Sequence, residues 1–341
     1  MGVKLASLVV KKVVELEKLR GRSLAVDANN VLHQFLALVR KPDGTPLTDP
    51  SGKVTSHLVG LAFRSTRLLY DYDIGLVFVF DGEPPRLKMD EVAKRREVKE
   101  KAEKEWLEAL RRGDYAAAFS KAVVTGRLTR EMLEDAEKLL KLLGIPYVEA
   151  PSEAEAQAAF MAARGDVWAS NSRDYDSLLF GSPRLVRYVT ISGTDFLPSK
   201  GVVKPLKPEI IELKATLDHL GLSREQLIDL AILLGTDFNE GVKGIGPVKA
   251  LRLIKAYGKL EALPPTVKSK LPSNYEEIRD FFLNPPVLDR YTLNYGVLDE
   301  EGLKRFLCDD KGFSEERVEK LVERIKAFYS RRLQTRLEEW A

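Results

Sequence analysis

Four carboxylates within residues 150–181, APSEAEAQAAFMAARGDVWASNSRDYDSLLFG, are spaced for metal chemistry: Glu153, Glu155, Asp174 and Asp176. The pattern predicts a helix over 153–164 with Ser152 as its cap, which puts both glutamates in the first turn. Residues 167–169 read as a short buried strand, and the two aspartates follow in the loop just past its end. If the helix start and the strand end lie side by side, four carboxylates face one another. A hard divalent cation, which takes oxygen ligands, is the economical way to hold that much like charge. A plainer reading competes. Ser152 and Glu155 have the spacing of a capping box, acids in a first turn meet the helix dipole favourably, and Asp174 and Asp176 would then be ordinary loop acids. These residues alone leave the choice open, so the elements that must position them decide it.

Composition sets the bounds. The chain has 341 residues with 54 basic and 51 acidic side chains, net +3, so a nucleic-acid surface must come from segregated rather than excess charge. The single Cys308 rules out an internal disulfide framework and fits a reducing, cytoplasmic compartment. No run approaches the roughly 20 apolar residues of a membrane helix. The start, MGVKLASLVVKK, lacks a signal-peptide apolar region, and Ala6 stands where a myristoylation motif wants Ser or Thr. Abundant Glu, Lys and Arg are compatible with a thermophilic source.

Strands and helices alternate along the chain. Residues 23–26 form an apolar run ending at Asp27, followed by a helical pattern over 29–39. Residues 41–52, rich in Pro and Gly, read as a loop or small hairpin, and a second helix covers 56–70. LVFVF, 76–80, has the continuous apolar character of a strand covered on both faces, and it ends at Asp81. Residues 86–112 carry ten basic and seven acidic side chains without an apolar stripe, the pattern of a solvent-bridging helix or a functional one. The region to about 129 reads as an insertion. A helix over 129–143 ends at Gly144 and leads into a strand at 145–148. Residues 184–191 and 201–212 read as strands at the sheet's far edge. A helix over 223–234 precedes GTDF, which presents Asp237. In residues 241–258, Gly244 and Gly246 allow a tight turn that exposes backbone amides, and Pro247 opens a helix carrying Lys249, Arg252 and Lys255. Further helices are predicted over 275–283, 301–308 and 314–330.

This alternation argues an α/β fold with a mainly parallel central sheet flanked by helices, whose site lies beyond the carboxyl ends of the strands. Asp27, Asp81, Asp174 and Asp176 fall at such ends, and Glu153, Glu155 and Asp237 at helix boundaries. Two hard divalent ions about 4 Å apart would suit seven carboxylates on one rim, and such a pair serves in-line displacement at phosphorus. With a basic segment and a backbone-gripping turn nearby, the residues suggest metal-dependent phosphodiester hydrolysis.

The motifs MGV, VDA (Asp27), VFDGEPP (Asp81), APSEAEAQAA (Glu153, Glu155), RDYDSLLFG (Asp174, Asp176) and LLGTDFNEGVKGIGP (Asp237) carry a resemblance. In this order and spacing, over essentially its whole length, the chain resembles the flap endonucleases of the structure-specific 5′ nuclease superfamily, in their archaeal form. The resemblance implies a single PIN-like nuclease domain over 1–341. It divides into an N-terminal part of the core (1–85), a helical arch (86–133), a second part (134–258) with a helix-hairpin-helix element at 223–258, a C-terminal helical part (259–330) and a clamp-binding tail (331–341). It implies Mg²⁺-dependent cleavage of 5′ flaps at single-strand to duplex junctions, with 5′–3′ exonuclease activity, in Okazaki-fragment maturation and base excision repair. Two Mg²⁺ ions, replaceable by Mn²⁺, would be held by Asp27, Asp81, Glu153 and Glu155 on one side and by Asp174, Asp176 and Asp237 on the other. Asp81 and Asp174 would be essential to catalysis, and Lys88 and Arg95 on the arch would approach the scissile phosphate.

The resemblance also places DNA contacts. Gly2 would lie near the site, and Arg40 and Arg64 near the junction. Thr55, Lys311, Phe313 and Arg317 would form a pocket for a one-nucleotide 3′ flap. The Gly244–Gly246 turn, with Lys249, would grip the downstream duplex and hold K⁺. Gln334, Leu337 and Trp340 would bind a sliding clamp, and the protein would act as a monomer on branched DNA. Three departures stand out: His33 where a tyrosine is common, VVTGRLT at 123–129 where the arch is often more basic, and Ala341 where the tail usually has a second aromatic. Three other readings remain: a superfamily relative preferring gap, bubble or exonuclease substrates, a non-catalytic clamp-associated DNA-binding protein, and a haloacid-dehalogenase-like phosphatase using Asp174 and Asp176.

Overall fold

In a computed structural model, residues 3–41, 44–114, 128–190, 193–197 and 202–338 are described, apart from the side chains of 89–96, 98, 99, 110, 193–197, 202–205 and 333–338. A seven-stranded sheet organises them in the order β1 (Lys11–Val13), β9 (Glu209–Glu212), β6 (Arg184–Arg187), β5 (Ala169–Asn171), β2 (Ser23–Asp27), β3 (Gly75–Phe80) and β4 (Tyr147–Glu149). From β6 through β4 all neighbours run parallel, while β9 and β1 are antiparallel additions. The mainly parallel α/β prediction therefore holds. The chain passes from β2 outward to β3 and β4, then crosses back to lay β5 on the other side of β2, so the strand order reverses between β2 and β5. Ligand sites of open α/β sheets lie at such a crevice.

Alternation along the strands sets the layers. Leu24, Val26, Leu76, Phe78 and Phe80 face a core built with α1 (Ala28–Leu38), α2 (Ser56–Tyr72), α4 (Arg130–Leu143) and the C-terminal helix Glu315–Glu338. Ala25, Val77 and Val79 point the other way, onto α5 (Ala154–Ala163). This alanine-rich helix is apolar nearly all round because its far side packs on a third cluster, built from the N-terminal segment 3–9, residues 175–185 and residues 211–282. Small side chains let its axis approach the sheet closely, which brings its first turn to the carboxyl rim.

The polar segment forms α3 (Met89–Arg111), entered through a 3₁₀ turn at Arg86–Lys88. After the short helices α6 (Asp176–Leu179) and α7 (Leu213–Leu220), helix α8 (Arg224–Leu234) starts in a capping box made by Ser223 and Gln226, and α9 (Pro247–Tyr257) packs on it. Buried Asp229 of α8 pairs with Arg279 at 2.6 Å, and Arg279 also reaches Glu261 at 2.7 Å, stapling this helical layer.

Several boundaries differ from the sequence expectation. The strand predicted at 167–169 is 169–171, because Val167 packs beneath α5 instead of pairing. The stretch predicted as strand to 191 stops at Arg187, where Tyr188 turns into the left-handed region at φ +63°. Residues 201–212 split: among the described residues β8 (Val202–Leu206) pairs only with β7 (Gly193–Leu197), and β9 enters the main sheet. The edge is therefore β1, a strand whose exposed KKV sequence carries no strand signal. The helix predicted over 301–308 begins as Glu300–Lys304 and widens into a π-helical stretch at Arg305–Asp310.

Candidate active site

The carboxylates gather at the β2–β5 crevice because backbone amides hold them there. Asp27 ends β2 and caps α1, its side chain accepting from the Asn30 amide at 2.9 Å. Asp81, one residue past β3, accepts from the Ala154 amide at 2.8 Å and so caps α5 from a distant part of the chain. This corrects the expected cap. Glu153, not Ser152, occupies the N-cap position, and the buried Ser152 hydroxyl makes no hydrogen bond among the described residues. The exchange depends on Gly82, whose amide donates to Ser152 O at 2.7 Å. A Cβ there would lie 2.1 Å from Ala150 O, so only glycine lets the loops after β3 and β4 meet.

The other acids are held in the same way. Asp174 Oδ2 accepts from Asn30 Nδ2 at 3.0 Å, and its amide donates to Ser172 Oγ at 3.2 Å. Asp176 Oδ1 accepts the Val3 amide at 3.1 Å, which brings the N-terminal segment to the site, although Gly2 itself lies outside the described residues. Glu155 accepts from Ser177 Oγ at 3.2 Å. Asp237 sits in the turn between Gly235–Thr236 and Asn239–Glu240, a two-stranded hairpin that follows α8. Lys88 joins the two sides, with Nζ 2.6 Å from Glu153 and 3.8 Å from Asp237.

Electrostatics sets this cluster apart from ordinary helix caps. Burial, then the charge of Asp81, pushes Asp27 well above the usual carboxylate range. Burial and Asp176 do the same to Glu155. Burial, Asp237 and Asp174 raise Asp176 to about 7. Burial raises Glu153 against the opposing pull of Lys88. For Lys88, burial disfavours the charge, but Glu153, Asp81 and Asp237 outweigh it and hold the ammonium protonated. The donor set is carboxylate oxygen throughout, without thiol or imidazole, and its negative charge exceeds what the Lys88 ammonium offsets; a hard divalent cation fits both features. As they stand, no three acidic, histidine or cysteine groups among the described residues close around a single ion. The Lys88 ammonium lies between Glu153 and Asp237 and bridges them.

The remaining predicted residues fall into groups. Phe313 stacks on Phe63 with centroids 6.2 Å apart, and the Arg317 guanidinium lies 4.4 Å from the centre of the same ring. Lys311 is ion-paired to Asp135, and Thr55 is buried at the start of α2. Phe63, absent from the sequence-based set, thus links two of the four pocket residues. Arg40 donates to Leu36 O at 2.8 Å and Gly44 O at 2.9 Å, which pins the loop after α1. Arg64 donates to Thr190 O at 3.4 Å. His33 is exposed, one turn along α1 from Asn29 and Asn30, on the face that meets the acids. Gly244 adopts φ +82°, Gly246 is the N-cap of α9, and Lys249 Nζ reaches Gly244 O at 3.5 Å, so the predicted turn between two helices is present. Arg95 lies on α3, but its side chain is outside the described residues, as are those of Gln334, Leu337 and Trp340.

Sequence reasoning overlooked the polar residues that hold the acids. Asn29 accepts from the Asp81 amide at 3.3 Å, Asn30 holds Asp174, and Ser172 and Ser177 contact Asp174 and Glu155. The available signal was adjacency, since VDANN and SNSRDYDS place each beside an acid.

Comparison with known proteins gives a consistent result. The chain matches models of the XPG N-terminal domain over residues 1–102 and of the XPG I-region over 144–237. It is 50% identical to flap endonuclease 1 of Pyrococcus abyssi, covering 100% of this chain and 98% of the relative. It is 48% identical to that of Staphylothermus marinus over 100% and 99%. Among solved structures, flap endonuclease-1 from Methanococcus jannaschii aligns with a TM-score of 0.77 at 39% identity, covering 97% of this chain and all of that one. The catalytic core of Rad2 in complex with a DNA substrate aligns at 0.70 with 25% identity, covering 95% and 100%.

Proposed function

Since this chain belongs to the flap endonuclease family, we propose that its seven carboxylates hold divalent metal, Mg²⁺ or Mn²⁺, for hydrolysis of one phosphodiester where a 5′ single strand leaves duplex DNA. The observation that carries this reading is the convergence of acids from five separate segments, Asp27, Glu153 and Asp176 among them buried, on the crevice where the strand order reverses, with Lys88 beside them. Asp27, Asp81, Glu153 and Glu155 serve one ion, and Asp174, Asp176 and Asp237 serve the other. When bound, the ions supply Lewis acidity at phosphorus and a lowered pKa for the attacking water.

The protein's own groups do the rest. The hydrogen bonds from the Asn30 and Ala154 amides orient the carboxylates of Asp27 and Asp81. Lys88, kept protonated by its acidic neighbours, is placed to stabilise negative charge that develops on the phosphate, and Arg95 on α3 shares that task. The turn at Gly244–Gly246 presents amides to the duplex backbone and can hold K⁺, which gives grip without base reading. The cluster around Phe63, Lys311, Phe313 and Arg317 receives the 3′ end, and the tail with Gln334, Leu337 and Trp340 docks on a sliding clamp.

Cleavage of a 5′-labelled double-flap DNA, read at single-nucleotide resolution with and without Mg²⁺, tests the proposal. One dominant Mg²⁺-dependent product at the junction is expected. Equal or faster cutting of gapped, bubble or blunt duplexes would overturn the flap preference, and binding without any product would overturn the catalytic reading.

A further inference from the structure

Arg187 ends β6, is 6% exposed, and is used by none of the steps above. Its guanidinium is nevertheless engaged on every side. Nε donates to Arg173 O at 2.8 Å, Nη1 to the Tyr175 hydroxyl at 2.6 Å, and Nη2 to the Tyr188 hydroxyl at 2.7 Å. Nη1 also meets Glu209 at 2.9 Å, its register partner across the β6–β9 pairing. Arg173 and Tyr175 are the residues on either side of Asp174, and Tyr175 immediately precedes Asp176. One planar group therefore ties both flanks of Asp174 to the sheet, while Asn30 holds the Asp174 carboxylate from the α1 side.

The charge of Arg187 is met by Glu209, so its contribution to the site is geometric. Lysine could not reproduce it, because a single ammonium on a flexible stem does not present the rigid fork that reaches a carbonyl and two hydroxyls at once. The backbone at this point is constrained as well: Tyr188, whose hydroxyl completes the set, is one of two non-glycine residues with positive φ among the described residues.

We propose that Arg187 is a positioning residue that sets the divalent-metal affinity of the site by fixing the 173–176 loop, on which Asp174 and Asp176 stand. The proposal rests on the reading of those two acids as metal ligands. Groups that orient ligands from behind typically change metal affinity by about 10- to 100-fold when altered.

The test compares wild type, Arg187→Lys, Tyr175→Phe and Tyr188→Phe as full-length proteins. Mn²⁺ binding is measured by electron paramagnetic resonance, and flap cleavage is measured as a function of Mg²⁺. Arg187→Lys should raise the half-saturating metal concentration about tenfold or more in both assays, with flap binding in the absence of metal unchanged. Tyr175→Phe, which removes one grip inside the loop without uncovering a charge, should shift it in the same direction by less, and Tyr188→Phe should leave it near wild type. If Arg187→Lys folds poorly, judged by its melting temperature, the Tyr175→Phe result decides. Unchanged metal curves beside a metal-dependent wild type would overturn the positioning role alone. A wild type that neither binds Mn²⁺ nor needs metal would instead overturn the functional reading.

Discussion

Asp81 has two separable jobs. Its charge belongs to the proposed metal site, and its Oδ1 also caps α5 by accepting the Ala154 amide at 2.8 Å. Asp81→Asn keeps an acceptor and loses the charge, whereas Asp81→Ala loses both. Both variants should lose cleavage by orders of magnitude while still binding flap DNA. Only the alanine variant should also lose stability, by about 1 kcal/mol, the usual value of a helix cap; paired cleavage and denaturation curves would check this. Asp176 carries a pH signature. Its pKa in the folded protein is raised to about 7 from an ordinary 3.8, so between those values the native state binds more protons than the unfolded one. Its contribution to stability is therefore fully present below about pH 4 and lost as pH rises through about 7. Glu155 and Asp27, raised in the same direction, add to the trend. In a chelator, the melting temperature should fall from pH 5 to pH 8. Added Mg²⁺ should raise it far more at pH 8, where the carboxylates are ionised, than at pH 5. Equal stabilisation at both values would count against these acids as ligands.

At the scale of elements, the meeting of the loops after β3 and β4 is the joint that forms the site. Gly82 permits it, because a side chain there would run into the Ala150 carbonyl. Gly82→Ala should part the loops, pull Asp81 away from the Ala154 amide, and cost about 1–3 kcal/mol as an overpacked contact does. Cleavage should fall with it, and denaturation midpoints beside cleavage rates would show both losses. The turn before α9 behaves differently. Gly244 has open space around it, so a substitution there strains the φ of +82° without a clash. Of these elements, the helices were legible in the sequence because cap and period agree, as at Ser223 and Thr129, each of which accepts an amide within its helix start. The cap of α5 was not legible. Ser152 and Glu155 match a local capping box, but the acceptor that won comes from 73 residues away, and local spacing carries no trace of it.

Across the whole molecule, 54 basic residues nearly balance 51 acidic ones, so any grip on DNA depends on where the charges stand. The acids converge on one crevice, while the exposed cations Lys249, Arg252 and Lys255 lie along α9. If phosphate contacts dominate DNA binding, affinity should fall linearly on a log–log plot against salt. Lys249→Ala should weaken binding evenly across sequences and reduce that slope by about one. A salt-insensitive affinity would exclude α9 as the duplex grip. No described helix is long and apolar enough to cross a membrane.

The sequence by itself determined the α/β alternation, the placement of each acid at a strand or helix end, and the Gly-rich turn, because these depend on period, propensity and backbone freedom within a few residues. Tertiary structure decided which acids share one crevice, that Asp81 and not Ser152 caps α5, and that exposed β1 closes the sheet. It also decided that Arg187 grips both flanks of Asp174. Each of those outcomes joins segments far apart in the chain, and each depends on burial and charge at a distance that no local spacing encodes.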